Sequence, residues 1–307
     1  MLKNKMYTKN KNLYTIILAQ SYQLKELIKM LVNTKEILHN AQKNKYAVAA
    51  FNVYNLETVQ AAITAAEKEG QPVIIALGER YFSTVDVEGF AALVKAMADK
   101  AHIPVALHLD HAYEKESIIR AIRCGFTSVM YDGSKFELEE NIAYTKEIVE
   151  IAHMAGVSVE AEIGSVARGA FSDEEEGNGT LTDPQSAKEF VAATGVDFLA
   201  AAIGTVHGMY QGEAKIDLAL LDDIRTAVNI PLVLHGGSGT PEDILKKAIQ
   251  LGICKVNVNT EVSMAAVSFL MKSIEKKQMA HLSTIMSEMQ LAMEPVMTKF
   301  VRLLSGK

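Results

Sequence analysis

From Met30 onward, short apolar runs alternate with longer stretches in which apolar residues recur every three or four positions. The short runs are rich in residues that favour β-strands, and the longer stretches have the period of amphipathic helices. The eight predicted strands are YAVAAFN (46–52), PVIIAL (72–77), PVALHLD (104–110), TSVMYD (127–132), VSVEAE (157–162), DFLAAAI (197–203), PLVLHG (231–236) and CKVNVN (254–259). The chain therefore predicts a regular succession of strand and helix.

Several predicted helices carry clear end signals. LETVQAAITAAEKEG and ELEENIAYTKEIVEIAHMAG finish at Gly70 and Gly156, and glycine suits the left-handed conformation that ends a helix. In TPEDILKKAIQLG, Thr240 is the predicted N-cap and Pro241 the first helical residue, with acids in the first turn. Residues 260–307 predict further helix beyond the last strand.

Continuous apolar strands that alternate with helices indicate a parallel sheet covered on both faces. Eight such units in one chain predict an α/β fold, a closed (β/α)8 TIM barrel with extra C-terminal helices. An open doubly wound sheet is the alternative, but the first strand is not followed by a glycine-rich dinucleotide turn. Residues 30–307 are expected to form this single barrel domain.

Residues 1–29 fall outside the alternating pattern. Four lysines precede a short apolar patch at 13–19, which gives the outline of a signal peptide. The patch is short, includes Tyr14 and Thr15, and is not followed by a clear small-residue cleavage site. We expect a poorly ordered extension, or a natural start at Met30, rather than a leader.

Composition narrows the range of functions. The net charge of −6, from 31 basic and 37 acidic residues, gives no basic face for nucleic acid. No apolar run approaches the ~18 residues needed to span a membrane. Cys124 and Cys254 form no spacing pattern, which is typical of a reducing compartment. We expect a cytoplasmic protein that binds neither nucleic acid nor membrane.

Three of the eight histidines lie where predicted strands end, namely His111, His207 and His235. Since the active site of a TIM barrel lies at the C-terminal strand ends, these imidazoles are expected to converge. Three histidines from different strands, with room for water or substrate, form a typical catalytic zinc site. The alternative for each is a structural histidine, but three at one rim favour a metal.

Carboxylates accompany these histidines at the strand ends. Asp110 ends the third strand, and His108 shares its face and is expected to support it from inside the barrel. Asp132 and Glu162 end the fourth and fifth strands. They are candidates for a second metal position, for contacts behind the ligands, or for ordinary strand-end acids. Glu160, on the same face as Glu162, is the weaker candidate.

A glycine-rich segment, HGGSG at 235–239, follows the seventh strand and precedes a helix. Backbone N–H groups and a positive helix end suit a phosphate, and this fold commonly binds phosphate after strands seven and eight. A tight turn that requires glycine is the alternative. Lys255, Asn257 and Asn259 alternate with valines, so we expect them to point into the barrel mouth. Together these features suit cleavage beside the carbonyl of a sugar phosphate, where a metal stabilises an enediolate.

Several stretches between residue 30 and about residue 275 resemble the class II, zinc-dependent fructose-bisphosphate and tagatose-bisphosphate aldolases. They are YAVAAFNVYNLE, HLDH, SVMYDGS, VSVEAEIG, IGTVHGMY, PLVLHGGSG and GICKVNVNTE. IGTVHGMY and LGICKVNVNTE are most similar to the tagatose branch. The resemblance implies a lyase of carbohydrate metabolism, such as glycolysis, that reversibly cleaves a ketose (1,6-bis)phosphate into dihydroxyacetone phosphate and an aldehyde.

The resemblance also implies roles for individual residues. His111, His207 and His235 would bind Zn²⁺, and Asp110 would transfer the proton of the C4 hydroxyl. The residues implied in substrate binding are Asn52, Gly208, Gly236, Ser238, Asn257, Asn259 and Thr260. Such enzymes often bind a monovalent cation, Na⁺ or K⁺, near the phosphate, and they assemble as homodimers or homotetramers.

Two stretches depart from the family's pattern. After EAEIG, the family has a glycine pair and an acidic pair, one acid of which moves the C3 proton, whereas this chain has SVARGAFSDEEEGNGT, with acids at 173–176. The family's C-terminal Asp-Pro-Arg, whose arginine reaches the distal phosphate bound to a neighbouring subunit, has no counterpart here. The candidates to replace that arginine are Arg168, Lys272, Lys276 and Lys277, unless the aldehyde half carries no phosphate.

Three other functions are the alternatives. A zinc hydrolase on this fold would need His-x-His on the first strand, where the chain has Phe51 and Asn52. A Schiff-base aldolase would use Lys255 but would leave the three histidines without a role. A sugar-phosphate-binding barrel that retains the metal but has little turnover would account for the altered loop.

Overall fold

The computed structural model describes residues 30–174, 177–275 and 280–307, and within them eight parallel strands close into a barrel. The barrel strands are β1 (Val48–Asn52), β2 (Val73–Gly78), β3 (Val105–Ala112), β4 (Ser128–Tyr131), β5 (Ser158–Ile163), β7 (Phe198–Ala201), β9 (Leu232–Leu234) and β10 (Ile253–Val258). A separate sheet pairs β6 (Ala167–Arg168) with β8 (Val206–His207). Around the barrel the strand order is β1, β10, β9, β7, β5, β4, β3, β2.

Helices follow the barrel strands and cover the outside of the barrel. They are α1 (Thr34–Asn44), α2 (Leu56–Glu69), α3 (Val87–Ala98), α4 (Lys115–Cys124), α5 (Leu138–Met154), α6 (Pro184–Thr194), α7 (Leu218–Ala227), α8 (Glu242–Gln250), α9 (Thr260–Glu275) and α10 (Leu282–Leu304). A short 3-10 helix, Glu79–Ser83, follows β2. Among the described residues, no helix combines the length and the apolar character needed to cross a membrane.

The closed barrel confirms the predicted fold, and each predicted strand overlaps one barrel strand. One predicted helix start is wrong by one residue. Pro241 is the N-cap of α8 rather than its first residue, and the Thr240 hydroxyl donates instead to the Gly236 carbonyl at 2.9 Å. The predicted extension at 1–29 lies outside the described residues.

Alternation along the strands separates two apolar cores and leaves one end of the barrel for polar groups. Leu107 and Leu109 face outward into the core under the helices, whereas Ala106 and Phe198 fill the interior near the N-terminal strand ends. Helix α1 closes that end, with Leu38 fully buried against the interior residues. Polar side chains therefore collect in the upper barrel, toward the C-terminal strand ends.

Candidate active site

Strand β3 delivers two consecutive side chains, Asp110 and His111, to the same end of the barrel. In a regular strand they would point to opposite faces. Here the pairing with β4 shifts register between Leu109 and Ala112, and His111 has a φ of 41°. This bulge turns the His111 ring toward the interior, where both residues are buried. A non-glycine residue in the left-handed region is costly, and such residues concentrate at functional sites.

Because of this bulge, His111 meets His207 from β8 and His235, which follows β9. The ring centroids lie 5.0 Å apart for His111 and His207, 4.6 Å for His111 and His235, and 5.7 Å for His207 and His235. One ring nitrogen from each lies within 4.8 Å of the others. The buried nitrogens His111 Nε2, His207 Nε2 and His235 Nδ1 have no hydrogen-bond partner among the described residues. Buried polar atoms are rarely left unpaired, so this set suits a metal ion.

Carboxylates behind two of these histidines determine which nitrogen is free. Asp132 Oδ2 lies 2.7 Å from His111 Nδ1, and Glu160 Oε1 lies 2.8 Å from His235 Nε2. A carboxylate that accepts the other ring N–H fixes the tautomer and the orientation of a metal-binding histidine. Burial raises the pKa of Asp132, but the hydrogen bond with His111, the charge of that ring and the hydrogen bonds from Ser134 together outweigh burial and hold that pKa well below the usual range.

Glu162 lies on the other side of His235. Its Oε2 is 3.2 Å from His235 Nδ1 without hydrogen-bond geometry, and burial together with nearby Asp132 raises the pKa of Glu162. Burial alone would lower the pKa of His235, but Glu160 and Glu162 raise it to about 10. A metal ion that binds His235 Nδ1 would compete with a proton for that nitrogen. His111, Asp132 and Glu162 also bring ligand atoms within 4.8 Å, so a second metal position is a prediction that stays open.

A buried ion pair lies deeper in the barrel. Lys255 Nζ is 2.7 Å from Glu160 Oε2, and both side chains are fully buried. The prediction that Lys255 reaches the barrel mouth is wrong, because this residue lies lower on β10 and pairs with Glu160. His108 lies beside the pair, with Nδ1 2.8 Å from Ser128 Oγ. Burial and the charge of Lys255 lower the pKa of His108 to about 3. Glu160, which the sequence analysis ranked below Glu162 as a site residue, therefore contacts both Lys255 and His235.

Asp110 is held between two amides. The side chains of Asn52 and Asn257 donate to its two carboxylate oxygens at 2.8 and 3.0 Å. Burial raises the pKa of Asp110, but positive charge on His111, Lys255 and other neighbours outweighs burial and keeps that pKa well below its usual range. The carboxylate is thus ionised, fixed in orientation and placed beside the histidines, as an acid–base group requires.

A cleft of about 320 Å³ opens above these groups. Its lining residues are Asn52, Asp110, His111, Ser172, Glu174, His207, Gly208, Gly236, Ser238, Asn257, Asn259 and Thr260. All seven predicted substrate-binding residues lie in this lining. Asp132 and Glu162 instead line a second cleft, of about 450 Å³, which shares His111, Glu174 and His207 with the first.

Two glycines in the lining have conformations and surroundings that exclude other residues. Gly236 has a φ of 73°, and a Cβ there would lie 2.1 Å from the Val206 carbonyl oxygen. Gly208 has a φ of 106°, and its Cβ would lie 2.4 Å from the Ala170 carbonyl oxygen. Close packing and positive φ angles therefore explain why glycine occupies both positions, as the tight-turn interpretation of the sequence predicts. The segment 235–239 leads into α8, and the Ser238 hydroxyl accepts from the Glu261 N–H in the first turn of α9 at 3.1 Å. This segment therefore lies beside two helix N-termini, which favour an anion.

The loop after β5 contributes two cleft residues that the sequence did not single out. Ser172 and Glu174 line the cleft, and Glu174 lies within 4.8 Å of Asp110 and His111 by its ligand atoms. The acidic run at 173–176 was the signal, but the sequence did not show which acid turns inward. Of the proposed replacements for the missing arginine, Arg168 is exposed and donates to the Ser172 carbonyl, and Lys272 is exposed on α9. Lys276 and Lys277 lie outside the described residues.

The backbone at His111 leads to a stability prediction. His111→Gly should leave the metal-free protein more stable than His111→Ala, by about 1 kcal/mol, because only glycine adopts a positive φ without steric penalty. Both variants lose the imidazole, so their difference isolates the backbone contribution. Urea unfolding of the two metal-free variants measures this difference. Equal stabilities would mean that the bulge relaxes once the ring is gone.

Comparison with known proteins places this site in a family. A family model described as fructose-bisphosphate aldolase class-II matches residues 32–307. The YdjI aldolase from Escherichia coli K12 is 36% identical, with a TM-score of 0.80 over 89% of this chain and 97% of that chain. A proposed fructose-1,6-bisphosphate aldolase from Coccidioides immitis is 33% identical, with a TM-score of 0.78 over 89% and 96%.

A third solved structure supports the fold alone. The fructose-bisphosphate aldolase from Campylobacter jejuni is 22% identical, with a TM-score of 0.75 over 89% of this chain and 95% of that chain. The family model covers residues 32–307, and the first two relatives are 36% and 33% identical over 89% of this chain. The chain therefore belongs to the class II fructose-bisphosphate aldolase family.

Proposed function

We propose that this protein is a zinc-dependent aldolase that reversibly cleaves a ketose (1,6-bis)phosphate, such as tagatose or fructose 1,6-bisphosphate. The products are dihydroxyacetone phosphate and an aldehyde. One observation carries the proposal: three buried histidine nitrogens that have no partner in the described part of the chain converge beside an ionised carboxylate that two amides hold in place.

The donor set fits zinc better than a hard cation. Three imidazoles from β3, β8 and the end of β9 are the ligands typical of catalytic zinc, whereas Mg²⁺ and Ca²⁺ prefer oxygen. The open cleft beside His111 and His207 leaves room for substrate. When bound there, Zn²⁺ acts as a Lewis acid that stabilises the negative charge developing at the substrate carbonyl. Its ligands in this proposal are His111, His207 and His235.

Asp110 is assigned the proton transfer at the C4 hydroxyl. Cleavage between C3 and C4 requires loss of that hydroxyl proton, and Asp110 is ionised and therefore able to accept it. Its two hydrogen bonds from amide side chains fix the orientation of the carboxylate relative to the substrate hydroxyl. In the reverse reaction the same group returns the proton to the aldehyde oxygen.

The glycine-lined side of the cleft is assigned to the phosphate of the dihydroxyacetone half. Gly208 and Gly236 bring backbone close to the cleft, and Ser238 and Thr260 add hydroxyl groups beside the first turns of α8 and α9. Asn52, Asn257 and Asn259 line the path from this cradle to Asp110. A monovalent cation, Na⁺ or K⁺, near this phosphate is part of the proposal.

Glu174 is assigned the proton at C3. The loop acids of the family move this proton, and Glu174 is the described acid of the run at 173–176 that lies against Asp110 and His111. Its side chain is 10% exposed, so it is largely shielded by the cleft walls. With this residue in place, the altered loop does not require loss of turnover.

Isotope exchange tests the role of Glu174. Glu174→Gln should slow exchange of the C3 hydrogen of dihydroxyacetone phosphate in D₂O by about 100-fold, the lower end for lost proton transfer, because water in the cleft takes over part of the task. Proton NMR of dihydroxyacetone phosphate measures the exchange. Glu189→Gln, an exposed glutamate on α6, is the control and should match the wild type. Unchanged exchange in Glu174→Gln would remove this residue from the mechanism.

A substrate screen tests the activity as a whole. Ketose 1-phosphates and 1,6-bisphosphates of fructose, tagatose and their epimers should include at least one that is cleaved to dihydroxyacetone phosphate. Binding of dihydroxyacetone phosphate without exchange or cleavage would instead identify a metal-retaining binding protein. We further propose that residues 30–307 form a single domain and that the enzyme acts in the cytoplasm as a homodimer or homotetramer.

A further inference from the structure

The segment that carries Glu174 is fastened to the opposite side of the barrel mouth. Arg80, in the 3-10 helix after β2, forms an ion pair with the Glu174 carboxylate and donates to the Asp173 carbonyl at 2.5 Å. The neighbouring Tyr81 hydroxyl donates to the Asp173 carboxylate, and Asn259 donates to the same carboxylate at 3.3 Å. Asp173 and Glu174 are thus held by residues that directly follow β2 and β10.

Arg80 is itself well placed for this contact. Gly78 at the end of β2 pairs in register with Asp110, so Arg80 lies just above the level of the proposed acid–base group. Its side chain is 21% exposed, and the guanidinium lies 5.7 Å from the centre of the Tyr81 ring. A planar guanidinium presents several N–H donors in a fixed arrangement, so it can donate to a carbonyl and a carboxylate at once with little loss of side-chain freedom.

Repulsion between two acids explains why the ion pair between Arg80 and Glu174 is needed. Glu174 brings its carboxylate within 4.8 Å of a ligand atom of Asp110, another buried acid. Two carboxylates at that distance repel each other strongly when both side chains are buried, as they are here. A cation bound to Glu174 offsets this repulsion. Among the described residues, Arg80 is the cation that forms an ion pair with Glu174.

We propose that Arg80 is the positioning residue for the C3 proton transfer, acting through Glu174 rather than on the substrate. The proposal rests on the role assigned to Glu174 in the proposed function. Removing Arg80 should let the Glu174 carboxylate turn away from Asp110, so that the C3 hydrogen exchanges slowly although the metal and the phosphate cradle are intact.

A double-mutant cycle between the two residues tests this inference. In zinc-loaded enzyme, Arg80→Met should slow C3 hydrogen exchange of dihydroxyacetone phosphate at least tenfold. The same substitution in the Glu174→Gln background should change exchange by less than about twofold, because there is no carboxylate left to position. Arg80→Lys should recover part of the rate through its charge alone. Zinc content and the Kd for dihydroxyacetone phosphate should stay within twofold of the wild type throughout.

Arg225→Met is the matched control. Arg225 also pairs with an acid, Asp222, but on the exposed surface of α7, and its removal should leave exchange unchanged. Equal losses from Arg80→Met in both backgrounds would overturn the inference, because Arg80 would then act independently of Glu174. Normal exchange in Arg80→Met would overturn it as well. Normal exchange in the Glu174→Gln single variant would instead show that Glu174 does not transfer the C3 proton, which separates this outcome from a failure of the inference about Arg80.

Discussion

Removal of the metal should abolish carbon–carbon cleavage, and His207→Ala should do so by losing the metal. His207 Nε2 is one of three buried ring nitrogens that have no other partner among the described residues. With two ligands left, the remaining imidazoles cannot complete the tetrahedral site that zinc requires. Elemental analysis should find about one zinc per chain in the wild type and a small fraction of that in the variant. Chelated wild type should regain activity when zinc is restored.

The matched control for this experiment is His153→Ala. His153 lies 2.8 Å from Asp197 Oδ2, a histidine–carboxylate pair like His111 and Asp132, but on the outer helix α5. It should retain both zinc and activity. Full cleavage activity in metal-free protein would refute the metal mechanism and would revive a Schiff-base reaction. Lys255 is fully buried and paired with Glu160, which argues against that reaction.

Asp110→Ala should lower cleavage by roughly 1000-fold, within the usual range for a lost acid–base group. The expected loss is large because Asp110 is 2% exposed, so bulk water has poor access to replace it. Exchange of the C3 hydrogen of dihydroxyacetone phosphate does not involve the C4 hydroxyl and should be nearly normal. Steady-state cleavage assays and NMR exchange, run on the same preparation, measure the two steps.

Zinc content decides how a loss of activity in Asp110→Ala is interpreted. Asp110 neighbours His111 in the chain, so a structural role would show as reduced zinc and as equal losses in cleavage and exchange. Asp110→Asn is a useful second variant. Its side-chain NH₂ group would face the NH₂ group of either Asn52 or Asn257, so one of the two hydrogen bonds would be lost. It should be as inactive as Asp110→Ala. Near-normal cleavage in either variant would exclude Asp110 as the acid–base group.

The sequence predicted the barrel and the convergence of the histidines because both follow from simple geometry. Strand and helix periods set the fold, and parallel strands bring their C-terminal ends to one rim. The bulge at His111 could not be predicted, since it depends on how β3 pairs with β4 and no glycine marks the positive φ. The alternation of Lys255 with valines predicted its face correctly but contained no information about depth along the barrel axis.

The contacts around Glu174 could not be predicted from the sequence, for a different reason. The acidic run at 173–176 lies in a loop, where no period relates sequence position to direction. Within this run, Glu174 forms an ion pair with Arg80, which lies 94 positions earlier in the chain. Arg80 also lies in a 3-10 turn without a motif. Long-range pairing between two loops thus accounts for the part of the site that the sequence left open.

The left-handed backbone at His111 also bears on how this protein can change over evolutionary time. In the proposed mechanism, selection for the reaction would keep an imidazole at residue 111, where the backbone conformation favours glycine. A descendant that gave up the chemistry but kept the barrel would be released from that conflict, and substitution by glycine or asparagine would then be favoured by folding alone. Glycine in place of the second histidine of HLDH would therefore mark barrels of this lineage that have abandoned the metal.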